Sequence, residues 1–215
     1  ELVADAVNYY EIGKYIFVHG WIPFIERRGK YLYDPNSPLR NEDHYAAYAE
    51  RLSDCDLVEP LMQGKYAREV SLAGLNRIGS KAADFRFMDK KGKVHTLYDI
   101  EADLILLFFS NPGCTACKDI IDVLDNDPKI SGLISEGVMH VLNIYIDEDI
   151  EAWRSYMAIY PENWHNGFDP DLVIRGETLY NVRAIPSLYL LDRDKVVIMK
   201  DAPEARVFDY ISRSL

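Results

Sequence analysis

Two cysteines separated by two residues, Cys114-Thr115-Ala116-Cys117, stand between a run of strand length and a stretch of helical periodicity, and this placement constrains the chain more than any other feature. Ahead of them, Asp103-Leu104-Ile105-Leu106-Leu107-Phe108-Phe109 is apolar over a strand's length. Behind them, Lys118-Asp119-Ile120-Ile121-Asp122-Val123-Leu124 repeats its apolar positions at helical spacing. A dithiol at a strand-to-helix junction is a site for dithiol–disulfide exchange. The unpaired N–H groups and positive dipole end of a helix start favour a thiolate over a thiol. Cys114 is therefore the expected low-pKa, exposed attacker, and Cys117 the resolving partner.

Sixty-nine residues after Cys117 comes Pro186, within Asn181-Val182-Arg183-Ala184-Ile185-Pro186-Ser187-Leu188-Tyr189-Leu190-Leu191, which reads as a short approach, a proline and a buried strand. With the Cys-x-x-Cys, this resembles the thioredoxin superfamily. The resemblance implies a cis proline ahead of the fourth strand of that fold, facing the cysteines, with the Ile185 backbone pairing an extended substrate segment. The alternative is an ordinary proline at a strand start. Upstream, residues 79–99 alternate apolar and polar positions around Lys91-Gly92, the pattern of a hairpin. That segment is similar to the leading part of extracytoplasmic thiol-disulfide oxidoreductases and of peroxiredoxins. The resemblance spans roughly residues 79–215. It implies an α/β thioredoxin-like fold, a central mixed sheet flanked by helices with an N-terminal hairpin extension.

The motif also departs from the family. Thioredoxins carry Trp before the first cysteine and Gly-Pro between the two; here these are Gly113 and Thr115-Ala116. Their buried acid six residues before that cysteine is Phe108 here, and the glutamate that envelope relatives carry six residues after it is Ile120. Asp119 and Asp122 are nearby, as the solvated face of the helix. The absent acid keeps a second reading open, a non-enzymatic interaction module with a vestigial dithiol. A peroxidase reading fares worse: the peroxiredoxin pattern puts Thr before its cysteine, whereas Thr115 follows Cys114.

The first 76 residues read as a separate small helical domain, with the thioredoxin-like domain over 77–215. A helix is expected over Tyr9–Glu26, running into a turn, then a loop stiffened by Pro35 and Pro38. Asn41 is a good N-cap for the next helix, where Tyr45, Tyr48, Leu52 and Cys55 share a face. Pro60 suits the first turn of a third helix. This arrangement resembles a helical region ahead of thioredoxin-like domains in envelope proteins of Bacteroides-type bacteria. Cys55 could be a redox partner for Cys114, but its apolar stripe favours core packing. In the loop 160–170, Trp164 and His165 are candidate substrate contacts near the active-site rim, with His165 available for proton transfer, against the plainer reading of a surface loop held by its aromatic residue.

At 215 residues and 48% hydrophobic content the chain can bury a full core. Its net charge is −11, of which residues 1–78 carry −3 and the remainder −8, which disfavours a nucleic-acid partner. No apolar run approaches the ~18 residues of a membrane helix. No cofactor is implied, and no metal, because the cysteines lack two further ligands at suitable spacing. The expected partners are a protein thiol or disulfide and a redox partner of unknown identity. Three cysteines are too few for a disulfide-stapled scaffold. The start at Glu1 rather than Met suggests that a signal or lipid anchor has been removed, and the resemblance points to the periplasm or cell envelope.

Overall fold

The protein is described by a computed structural model covering residues 31–214 together with the isolated positions 14, 20, 27 and 29. Apart from two of those positions, the helix expected over 9–26 lies outside the described residues. The chain divides into two compact units after Gly74.

In the first unit, α1 spans Glu42–Ser53 and α2 spans Pro60–Ala73. Asn41 caps α1, its side chain accepting from the His44 N–H at 3.0 Å, and Pro60 occupies the first turn of α2, where no intrahelical N–H is needed. Tyr45, Ala49 and Leu52 of α1 pack with Tyr66 of α2 and Val58 into one small core, and Tyr33 stacks on Tyr45 with ring centres 4.1 Å apart. Cys55 is a free thiol packed against that core, not fully buried.

The second unit is built on a seven-stranded mixed sheet. Its strands are β1 (Arg86–Asp89), β2 (Val94–Thr96), β3 (Leu104–Phe109), β4 (Met139–Tyr145), β5 (His165–Phe168), β6 (Ser187–Asp192) and β7 (Val197–Met199), in the order β2-β1-β5-β4-β3-β6-β7. The central strands β5, β4 and β3 run parallel, and β6 is antiparallel to β3. The expected hairpin is β1–β2: Gly92 takes φ +81° at the turn, and Asp89 Oδ1 accepts from the Lys91 and Lys93 N–H groups. Four helices follow in chain order, α3 (Thr115–Asn126), α4 (Pro128–Ser135), α5 (Ile150–Tyr156) and α6 (Glu204–Ser214).

Strand alternation sorts the interior into two cores. Leu104, Leu106 and Phe108 of β3 and Met139, Val141 and Tyr145 of β4 face the helices. There they meet Cys117, Ile120, Ile121 and Leu124 of α3, Ile130 and Ile134 of α4, Trp153 of α5, and Val207 and Ile211 of α6. Ile105, Leu107, Phe109, Leu142 and Ile144 face the other way, against Phe85, Phe87, Leu97, Ile174 and Tyr180. With both faces covered, every residue of β3 is buried, which is why its sequence is continuously apolar rather than alternating. Each such Leu, Ile or Phe contributes about 1.5–3 kcal/mol through burial. No helix among the described residues is long and apolar enough to cross a membrane.

Two elements differ from the sequence expectation. The segment 160–170 is not wholly a loop, because His165–Phe168 forms β5 in parallel with β4. The helix after the cysteines is followed by a second one, α4, started by Asp127, whose side chain accepts from the N–H groups of Lys129 and Ile130, with Pro128 in its first turn.

Candidate active site

The turn leading from β3 into α3 is made by Asn111, Pro112 and Gly113, with Gly113 at φ +73°, a conformation that a side chain would strain. The Cys114 N–H donates to the Asn111 carbonyl at 3.3 Å, closing the turn. Cys114 is the N-cap of α3: its Sγ accepts from the Cys117 N–H at 3.1 Å. The first cysteine thus sits where helix N–H groups converge and a thiolate is favoured. Cys117 lies one turn into α3, 2% exposed, whereas Cys114 is partly exposed. The two are joined as a disulfide with their Cα atoms 5.2 Å apart.

The Ile185–Pro186 peptide bond is cis. Ser187 begins β6 directly opposite Phe109, the last residue of β3. Because the two strands are antiparallel, the start of β6 and the end of β3 fall at one end of the sheet, so the Ile185–Pro186 segment and the cysteine turn emerge at that same end. Ile185 and Cys114 both pack against the core that contains Cys117. The proline segment is clamped on both flanks. Arg183 pairs with Asp201 at 2.6 Å, and Ser187 Oγ donates to the same carboxylate at 2.9 Å, all three groups being almost fully enclosed.

Around the turn, the polar groups are neutral or engaged. Ser110, fully buried, donates to Asn143 Oδ1, and Tyr160 lies 3.4 Å from the same hydroxyl; burial raises the Tyr160 phenol above its ordinary value. Asn143 is the register partner of Phe108, so a buried amide stands beside the phenyl ring. Phe108 and Ile120 are both buried, and Asp119 and Asp122 are exposed, Asp122 in an ion pair with Lys118. Asn111 Nδ2 donates to Asp147 at 2.7 Å, and Asp147 also pairs with Arg175. These last two residues line an open cleft of about 530 Å³ at the end of β4. Ser110, Asn143 and Tyr160 lie far apart in the sequence with no motif linking them, and the pairing of β3 with β4 brings the first two together.

Trp164 and His165 are placed differently from the expectation of a rim. Trp164 is buried in the helix-facing core. His165 contacts His140, which shares its strand face with Leu142 and Ile144, the side of the sheet away from Cys117. Burial, then the neighbouring His140 and His95, lower the His165 pKa from 6.5 to about 4. The folded state therefore resists a proton that the unfolded chain accepts. Stability is unaffected above pH 6.5, falls between pH 6.5 and pH 4, and levels off below that, a loss of up to about 3 kcal/mol. Urea midpoints at pH 7 and pH 4.5 should differ accordingly, and His165→Gln should flatten that part of the profile.

No family model and no curated protein matches the chain. Solved structures do. A thioredoxin-like protein from Bacteroides caccae is 40% identical with a TM-score of 0.84, over 87% of this chain and 68% of that one. The C-terminal domain of an uncharacterized protein from Bacteroides fragilis is 41% identical with a TM-score of 0.62, over 64% of this chain and 99% of that one. A domain of a possible thiol-disulfide isomerase from Cytophaga hutchinsonii shares the fold at 23% identity and a TM-score of 0.55, over 66% of this chain and 95% of that one. The cysteine pair at the head of α3, in a chain 40% identical to a thioredoxin-like protein, supports a redox type of function. With a mixed sheet flanked by helices and 40% identity to a thioredoxin-like protein of which it covers two thirds, the chain belongs to the thioredoxin superfamily.

Proposed function

We propose that the protein is a thiol-disulfide oxidoreductase of the periplasm or cell envelope. The observation that carries this reading is the asymmetric pair at one helix start, a partly exposed Cys114 bonded to a buried Cys117. In the reducing direction, the Cys114 thiolate attacks one sulfur of a substrate disulfide. A mixed disulfide forms and one substrate thiolate leaves. The Cys117 thiolate then attacks Cys114 Sγ, expels the second substrate thiolate and regenerates the internal disulfide. Two electrons pass to the substrate, and its two thiolates take up the two protons that the enzyme thiols give up. Oxidation of a substrate dithiol is the same sequence reversed. An extended substrate segment would lie along Ile185–Pro186, at the same sheet end as the cysteines, and the envelope is a compartment in which protein disulfides persist.

Equilibration against glutathione buffers, followed by alkylation and mass measurement, tests the proposal. The expected result is one reversible two-electron couple, lost in Cys114→Ser, with a potential between about −270 and −120 mV that assigns the direction of exchange. A pair that never reopens would overturn it. One observation favours a second reading, an interaction module: Phe108 and Ile120 stand at the two positions where the family resemblance implies a carboxylate.

A further inference from the structure

His140 and His165 stand on adjacent parallel strands, on the sheet face away from the cysteines, and the proposed exchange chemistry uses neither. His140 Nδ1 lies 3.1 Å from His165 Nε2, and the ring centres are 4.9 Å apart. Both residues are partly exposed. Two neutral imidazoles at this separation share one hydrogen bond. The separation is also close to the ~3.3 Å between two nitrogens that each sit 2.0–2.1 Å from a tetrahedral ion. The strands thus hold the two nitrogens near the required spacing, and turning the two rings would bring their lone pairs onto a common ion.

We propose that His140 Nδ1 and His165 Nε2 form a two-imidazole binding site for a divalent first-row transition ion, Cu²⁺ or Zn²⁺. Imidazole suits these ions, and the order of affinities for such a donor set places Cu²⁺ above Zn²⁺, with Mg²⁺ and Ca²⁺ not retained. On binding, the ring that donated the shared hydrogen bond moves its proton to its other nitrogen, so both facing nitrogens offer lone pairs and no net proton is released. His95, whose Nε2 contacts Asp89 at 3.3 Å, stacks on Phe87 at the next position across the sheet. No group of three or more ligand residues converges among the described residues, so water completes the coordination. The site asks nothing of the dithiol and stands whether or not the exchange activity does.

The test uses the whole chain with the Cys114–Cys117 disulfide closed and Cys55 alkylated, so that sulfur cannot compete. Titration with Zn²⁺ by calorimetry and with Cu²⁺ by visible absorption should give one equivalent bound. Affinity should fall at least tenfold in His140→Gln and in His165→Gln, and remain unchanged in His44→Gln. A second measurement needs no variant: Zn²⁺ should shift the ring nitrogen resonances of His140 and His165 together and leave that of His44 in place. Absence of saturable binding up to millimolar metal overturns the proposal. So does binding that both single variants leave intact, or ring shifts confined to other histidines.

Discussion

Cys114→Ser is expected to abolish disulfide exchange, with a fall of at least about 1,000-fold in the rate of reduction of a model protein disulfide. A serine hydroxyl at the head of α3 stays protonated at neutral pH, whereas a thiol at that position is biased towards the thiolate by the helix N–H groups. Cys117→Ser should behave differently. Its first step survives, because Cys114 is untouched, but nothing resolves the product, so the mixed disulfide accumulates and can be isolated under non-reducing conditions. The contrast follows from burial: Cys117, 2% exposed, can reach Cys114 but not an external substrate. Cys55→Ala should leave both outcomes unchanged, since that thiol packs against the core of the other unit. If Cys114→Ser and Cys117→Ser were equally impaired with no trapped species, the division of labour between attacker and resolver would be wrong. If neither altered exchange, the dithiol would be incidental and the interaction-module reading would take its place.

What was legible in the sequence was local. The β3–Cys-x-x-Cys–α3 junction announced itself because its signals are contiguous: an apolar run, two cysteines, then helical periodicity. The same holds for Asn41 as a cap, Pro60 at a first turn and the hairpin around Gly92. What was illegible depended on register. His165–Phe168 reads as a loop because Trp164, His165, Asn166 and Gly167 have no strand-like pattern; the segment becomes β5 only because β4 offers it a parallel edge and β1 closes its other side. Gly167 is explained only by that packing, since a Cβ there would lie 2.6 Å from the Phe87 ring. Chain order makes His165 only a candidate for the rim, beside the plainer reading of a surface loop, and strand parity puts it on the opposite face. α4 was within reach: Asp127-Pro128 is a cap followed by a first-turn proline, a signal the helical periodicity of the preceding segment obscured. The clamp at Asp201 could not be foreseen, because its partners lie 14 and 18 residues away with no motif linking them.

Asp201→Ala is expected to destabilise the protein by about 3–5 kcal/mol, the cost typical of removing one partner from a buried ion pair. The side chains of Arg183 and Asp201 are 9% and 3% exposed, so water cannot readily take over the guanidinium's interaction with the carboxylate. The backbone adds to the loss: Asp201 sits at φ +43°, a region that Asp and Asn tolerate better than Ala. Asp201→Asn separates the contributions. It keeps the backbone preference and an acceptor for Ser187 but removes the charge, and should cost less than the alanine variant. On the proposed function the ion pair would also bear on exchange, because Arg183 and Ser187 lie on either side of Ile185–Pro186 and Asp201 holds both. Arg183→Met combined with Asp201→Leu tests this second role. Apolar side chains of similar bulk remove both charges together, so the part of the loss that comes from the unpaired guanidinium should recover relative to Asp201→Ala, while the backbone cost at φ +43° and the lost acceptor for Ser187 remain. The polar tie across the proline segment would still be missing, and exchange should stay slower than in the parent protein even where urea midpoints match. Full recovery of both stability and exchange rate would mean that the buried pair supports the fold alone and that the segment keeps its place by apolar packing.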